Sequence, residues 1–218
     1  MDRTQLSKED LLYQCSMRIN NSINDDAISN AVAQYGYGAE KLQIGKTLLQ
    51  EAQITSENFT KEYHDVDIAF NERDKMLEQV NDLYYKHWSI AKVVFKDNNA
   101  AQVSLDIHGR RAKSASKWFT QTTSFYTNLL SNQNWLDQMN TYGITKESIE
   151  EGLAGVNKIQ TQNELILREK GDAQQATLIR DHKIDDLYEW VRDYEAIAKI
   201  ALMDQPQLLE KLGMIIKN

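Results

Sequence analysis

Residues 35–97 read YGYGAEKLQIGKTLLQEAQITSENFTKEYHDVDIAFNERDKMLEQVNDLYYKHWSIAKVVFKD. Between Ala39 and Lys96 there is no proline, and Gly45 is the one glycine. From Leu42 to Val94 a stripe recurs at unbroken steps of three and four residues, and most of its positions are apolar. Such steps hold a stripe on one side of an α-helix, as in a heptad seam. Gly45, Ser56, Arg73 and His87 are its defects. Two readings stay open for this stretch and its counterpart. Residues 39–96 and 146–203 are either single long helices or hairpins broken at 62–65 and 169–172. The register running through Glu62-Tyr63-His64-Asp65 favours continuity. Gly171 and the ordinary length of helices favour the break.

Working outward, the stretch has a copy. Shifting the sequence by 107 positions sets it on itself without a gap. Tyr35-Gly36 falls on Tyr142-Gly143, Glu40 on Glu147, Gly45 on Gly152, Arg73-Asp74 on Arg180-Asp181, and Ile90-Ala91-Lys92 on Ile197-Ala198-Lys199. About fifteen of the sixty-odd pairs are identical. Repeated patterns fold into repeated shapes. The flanks repeat too. Leu11, Leu12, Cys15 and Ile19 form an amphipathic stripe behind a capping Ser7. Trp118, Phe119, Thr122 and Tyr126 form another behind Ser114 or Ser116. Asn and Asp residues at 24–26, and Ser-Asn-Gln-Asn at 131–134, mark breaks. Asp204 is the expected cap of a last short helix that has Pro206 in its first turn. The sequence therefore predicts an all-α fold, an elongated antiparallel bundle of long amphipathic helices. It is built from two tandem repeats, 1–107 and 108–218, related by a pseudo-two-fold and packed as one body.

Composition narrows the function classes. The 218 residues are 41% hydrophobic and 26% charged, with a net charge of −7. The first repeat carries −6 of this and the second −1. An acidic balance argues against a nucleic-acid partner, which requires a basic face. No apolar run approaches the ~20 residues that span a bilayer, and Met1 to Gln5 have no apolar segment behind them. One cysteine fits a reducing compartment. The expectation is a cytoplasmic protein without a membrane partner.

No recognisable catalytic constellation emerges. His64, His87, His108 and His182 form no ligand set, although His182 shares a helix face with Asp186. Cys15 lies on an apolar stripe and reads as a core residue. No Gly-x-Ser-x-Gly elbow or phosphate loop is present. Non-enzymatic, without cofactor or metal, is the resulting expectation. Two features stand out. Arg73 and Arg180 occupy matching seam positions. If buried they require a carboxylate, which helix geometry predicts from another helix rather than from Asp74 or Asp181. They are candidates for a buried polar lock, the alternative being alkyl stems laid on the seam with the head groups in water. The second feature is the junction between the repeats. From Ile107 through Leu136 there is no Asp or Glu, while Arg110, Arg111, Lys113 and Lys117 supply four cations. These are the candidate contacts for an anion or an acidic partner, the alternative being a solvated basic linker.

The doubled Tyr-Gly, the Glu and Gly that follow each, the two Ile-Ala-Lys…Asp endings and Gly109-Arg110-Arg111…Trp118…Phe125-Tyr126 resemble an uncharacterised family of bacterial all-helical proteins. The resemblance spans nearly the whole chain and implies a helical fold and a bacterial origin. It brings no activity, cofactor or site residue. This chain departs from the pattern at His64, where the family's glycine is expected. Taken together, the sequence points to a structural or interaction protein that self-associates through helix seams into a homo-oligomer. The alternative is a binding module whose basic junction, 108–118, captures an acidic protein or another anion.

Overall fold

A computed structural model describes residues 6–214; the N-terminal residues read above for a leader lie outside that range. The described residues form eight helices and no strand, so the fold is all-α. The helices are α1 (Lys8–Asn24), α2 (Asp26–Ala33), α3 (Ala39–Val94), α4 (Asn99–Ser104), α5 (Ala115–Leu130), α6 (Gln133–Asn140), α7 (Lys146–Ala201) and α8 (Pro206–Lys211). Both α3 and α7 run for 56 residues without interruption, so neither 62–65 nor 169–172 is a hairpin. The unbroken stripe decided the matter over Gly171, which helical backbone accommodates at modest cost. None of these helices is apolar enough to cross a membrane.

Polar side chains set the helix starts. The Oγ of Ser7 accepts from the Asp10 N–H at 3.0 Å, and the Asp25 carboxylate accepts from Ala27 and Ile28. Asn98 and Asn132 act likewise for α4 and α6. The Asn and Asp clusters at 24–26 and 131–134 do break the chain, into α1/α2 and α5/α6. For the last helix the expected cap is corrected. Gln205, not Asp204, occupies the N-cap and gives no side-chain bond, while Pro206 sits in the first turn as expected.

Four helix ends close in one way. The residue after each turn donates its N–H back five residues: Tyr37 to Val32, Ile107 to Gln102, Ile144 to Met139 and Met214 to Leu209. That closure needs a left-handed residue just before the donor. Gly36, Gly143 and Gly213 supply it at φ 84°, 80° and 66°, and Asp106 supplies it at φ 49°. Aspartate is among the few non-glycine residues that tolerate this region.

Two compact units emerge: residues up to 64 together with 171 onward, and residues 65–170. Each draws on residues before and after position 107, because α3 and α7 each contribute one stretch to either unit. In the first unit α1 packs Leu11, Cys15 and Ile19 against Leu49 of α3 and Ile184, Leu187 and Val191 of α7. A neighbouring cluster joins Ile28, Val32 and Leu42 to Tyr194, Ala198 and Leu208. The second unit centres on aromatic rings. Tyr84 meets Phe125 edge-on at 5.4 Å and Tyr126 at 6.0 Å, with Phe95, Leu129 and Met139 beside them. Within each unit, contacts between α3 and α7 run in opposite chain order. Gly45 meets Trp190 and Glu51 meets Lys183 in the first, while Ala69 meets Gln162 and Val80 meets Gly155 in the second.

Candidate functional site

The junction from Ile107 to Ser114 is pinned at several points within the second unit. Ile107 is buried in the core. The Gln121 side chain, itself buried, donates its amide to the Asp106 carbonyl and carboxylate, both at 3.1 Å, and accepts the Ala112 N–H at 2.8 Å. Gln121 thus holds Asp106 in its left-handed conformation and ties down the middle of the basic segment. Lys92 of α3 donates to the Gly109 carbonyl at 3.1 Å and lies over the Trp88 ring. The Arg111 guanidinium donates to Asn81 at 3.1 Å and stacks on Tyr85 at 4.7 Å.

This segment borders two cavities. One, of about 350 Å³ and open to solvent, is lined by Lys92, Arg110, Arg111 and Lys113 with Asn81, Trp88, Gly109 and Ala112. Four cations and no carboxylate line it. The other, of about 400 Å³, has an apolar wall of Leu77, Trp118, Phe119 and Ile159. Arg73, Asn81, Lys113 and Asn163 are its polar lining. Asn81, Ala112 and Lys113 line both. Neither Arg110 nor Lys113 has a partner among the described residues. Lys117 is exposed and lines neither cavity, so the structure gathers three of the four candidate cations and adds Lys92. By contrast, a first-unit cavity of about 410 Å³ is lined by Glu62 and Asp172 and by no cation.

The arginines behave differently from expectation. Arg73 reaches its own neighbour, with Nη2 2.6 Å from Asp74 Oδ1, while its guanidinium lies over Phe70. Arg180 does the same with Asp181 at 2.8 Å and lies 3.6 Å from the Phe59 ring centroid. The expectation of a carboxylate from another helix is therefore corrected. A long side chain laid flat on an aromatic face brings its head group round to the adjacent residue. Arg180 is the more enclosed, with 12% of its side chain exposed against 27% for Arg73.

Among the described residues, a buried ion pair lies elsewhere, in the first unit. Arg18 Nε is 2.6 Å from Glu195 Oε1, and their side chains are 5% and 6% exposed. Arg18 also donates to the Gln14 carbonyl at 2.9 Å. Ser22 donates to the Arg18 carbonyl at 2.6 Å and shares a hydrogen bond with the Tyr194 hydroxyl. The sequence did carry a signal, since Arg18 falls on the same helical stripe as Leu11 and Cys15. Cys15 lies nearby, and burial pushes its thiol up to about 12, which keeps it protonated. In the second unit, burial and then the charge of Lys86 push His87 down to about 4. Its neutral ring sits 3.2 Å from the Tyr126 hydroxyl and 3.0 Å from Ser148 Oγ. His64 and His108 are exposed, and His182 lies 3.1 Å from the Asp186 carboxylate.

No family model, no curated protein and no solved structure matches this chain.

Proposed function

We propose that this chain is a non-catalytic, cytoplasmic binding protein whose basic junction captures an anionic partner. In this reading two tandem helical repeats pack as an antiparallel bundle and present the segment that joins them. Helix boundaries support the duplication: α2, α3 and α4 match α6, α7 and α8 at both ends after a shift of 107 residues. The left-handed residues follow the same shift, Gly36 with Gly143 and Asp106 with Gly213. The observation that carries the function is the open cavity lined by Lys92, Arg110, Arg111 and Lys113 with no carboxylate in its lining. Converging cations raise the local potential for an anion and weaken as salt screens them. Inorganic tripolyphosphate is a suitable probe. It should bind the intact chain, lose affinity as salt is added, and lose most of it when Arg110, Arg111, Lys113 and Lys117 are all changed to Ser.

A second reading, self-association through the helix seams into a homo-oligomer, has its own support. Between Ala52 and Val80 the one buried residue of α3 is Ala69. In the first unit Ile54, Tyr63 and Leu178 are exposed, and in the second Ile68 and Leu167, the last at 71%. Large apolar side chains left in water along long helices suit a second copy of the chain. Light scattering should then give a mass above that of the 25.2 kDa monomer. A strict monomer at high concentration counts against this reading and leaves the junction untouched.

A further inference from the structure

We infer that the ligand of the junction is a small amphipathic anion, with its apolar body in the chamber walled by Leu77, Trp118, Phe119 and Ile159 and its charged head among Arg110, Arg111 and Lys113. This rests on the anion-capturing role proposed above and specifies its ligand. The two cavities share Asn81, Ala112 and Lys113 in their linings, so they adjoin. They differ in chemistry: one is lined by cations, the other mainly by aromatic and aliphatic side chains. A purely inorganic anion uses only the first. The chamber's volume of about 400 Å³ falls in the range of small-molecule sites, which combine an apolar lining with a few fixed polar groups.

Charge complementarity fixes the sign of the head group. Neither cavity has a carboxylate in its lining, and the acidic side chains that touch lining or junction-holding residues, Asp74 and Asp106, are both engaged. Asp74 pairs with Arg73, and Asp106 accepts from Gln121. Lys113 lines both spaces and has no partner among the described residues. It is placed to receive a head group while the body attached to that head lies against Trp118 and Phe119. Arg111 is fixed in place by Asn81 and Tyr85, so that part of the head-group site is ordered before binding.

The test is calorimetric titration of the intact chain with octyl phosphate below its micelle concentration. Parallel titrations use butyl phosphate, octanol, inorganic phosphate and polyglutamate. Octyl phosphate should bind at least about a hundredfold more tightly than inorganic phosphate, with butyl phosphate between them, because each buried methylene adds affinity. Octanol should bind at least about tenfold more weakly than octyl phosphate, having no charged head. Phe119→Ser should weaken octyl phosphate and leave tripolyphosphate unchanged, whereas Lys113→Ser should weaken both. If Phe119→Ser does not fold, the chain-length series on the wild-type protein still decides. Inorganic phosphate or polyglutamate binding as tightly as octyl phosphate overturns the inference and leaves the basic junction as an anion site. No binding of any anion, or binding indifferent to Lys113→Ser, overturns both.

Discussion

Glu195→Leu destabilises the protein by roughly 3–5 kcal/mol in urea unfolding, because it strands the Arg18 guanidinium in the core of the first unit. The two side chains are almost fully enclosed and 2.6 Å apart. What remain for Arg18 are the backbone carbonyl and side-chain oxygen of Gln14, neutral acceptors that do not balance a buried charge. The second replacement is as informative as the first. Arg18→Met in the Glu195→Leu background should recover most of the loss, since an apolar pair of similar volume replaces a buried ion pair at little cost. The second unit already follows that pattern, with Phe125 and Trp88 at the matching positions. A Glu195→Leu variant as stable as the parent would show that the pair is solvated.

Gly152→Ala lowers stability by about 1–3 kcal/mol, although the same change in an open helix interior raises it by about 1 kcal/mol. A methyl group at 152 would lie within 3 Å of the Tyr126 ring. That ring cannot retreat easily. It is fully buried, packs edge-on against Phe125 at 5.2 Å, and has its hydroxyl held by His87. Gly45 is the matching residue, and there the obstacle is Trp190, stacked on Tyr194 at 5.5 Å. Gly45→Ala should therefore cost a similar amount. Gly171→Ala is the control, because its methyl group would meet nothing within 4 Å. Thermal melts of the three variants decide: equal gains at all three sites would mean that neither ring lies where it has been placed.

Local signals were legible in the sequence. The three-and-four spacing from Leu42 to Val94 specified a helix, and its unbroken register explains why α3 passes through Glu62 to Asp65 without a turn. Tyr-Gly marked the helix ends, because a left-handed residue there is a local requirement. The capping role of Ser7 was likewise written in adjacent residues. Asp204 misled because Gln205 takes the N-cap when Pro206 occupies the first helical position. Features depending on distant partners were harder to read. The stripe at Arg73 and Arg180 signalled an unusual burial, but their stacking on Phe70 and Phe59 brings the neighbouring aspartates into range. The true buried pair, Arg18 with Glu195, joins residues 177 positions apart. At the junction, the absence of Asp and Glu from Ile107 to Leu136 marked the cationic half of the proposed site. The apolar half stayed hidden because Leu77, Trp118 and Ile159 come from three helices, each reading as ordinary core.

The central assignment is that anions are captured by the cations of the junction. Titrating tripolyphosphate into the intact chain at ~0.01 M and ~0.15 M ionic strength addresses it directly, since screening length falls severalfold over that range. Binding should weaken by roughly tenfold or more across the interval, and the variant with Ser at 110, 111, 113 and 117 should show little binding at either salt. Equal affinity for the variant and the parent, at both ionic strengths, would contradict the assignment.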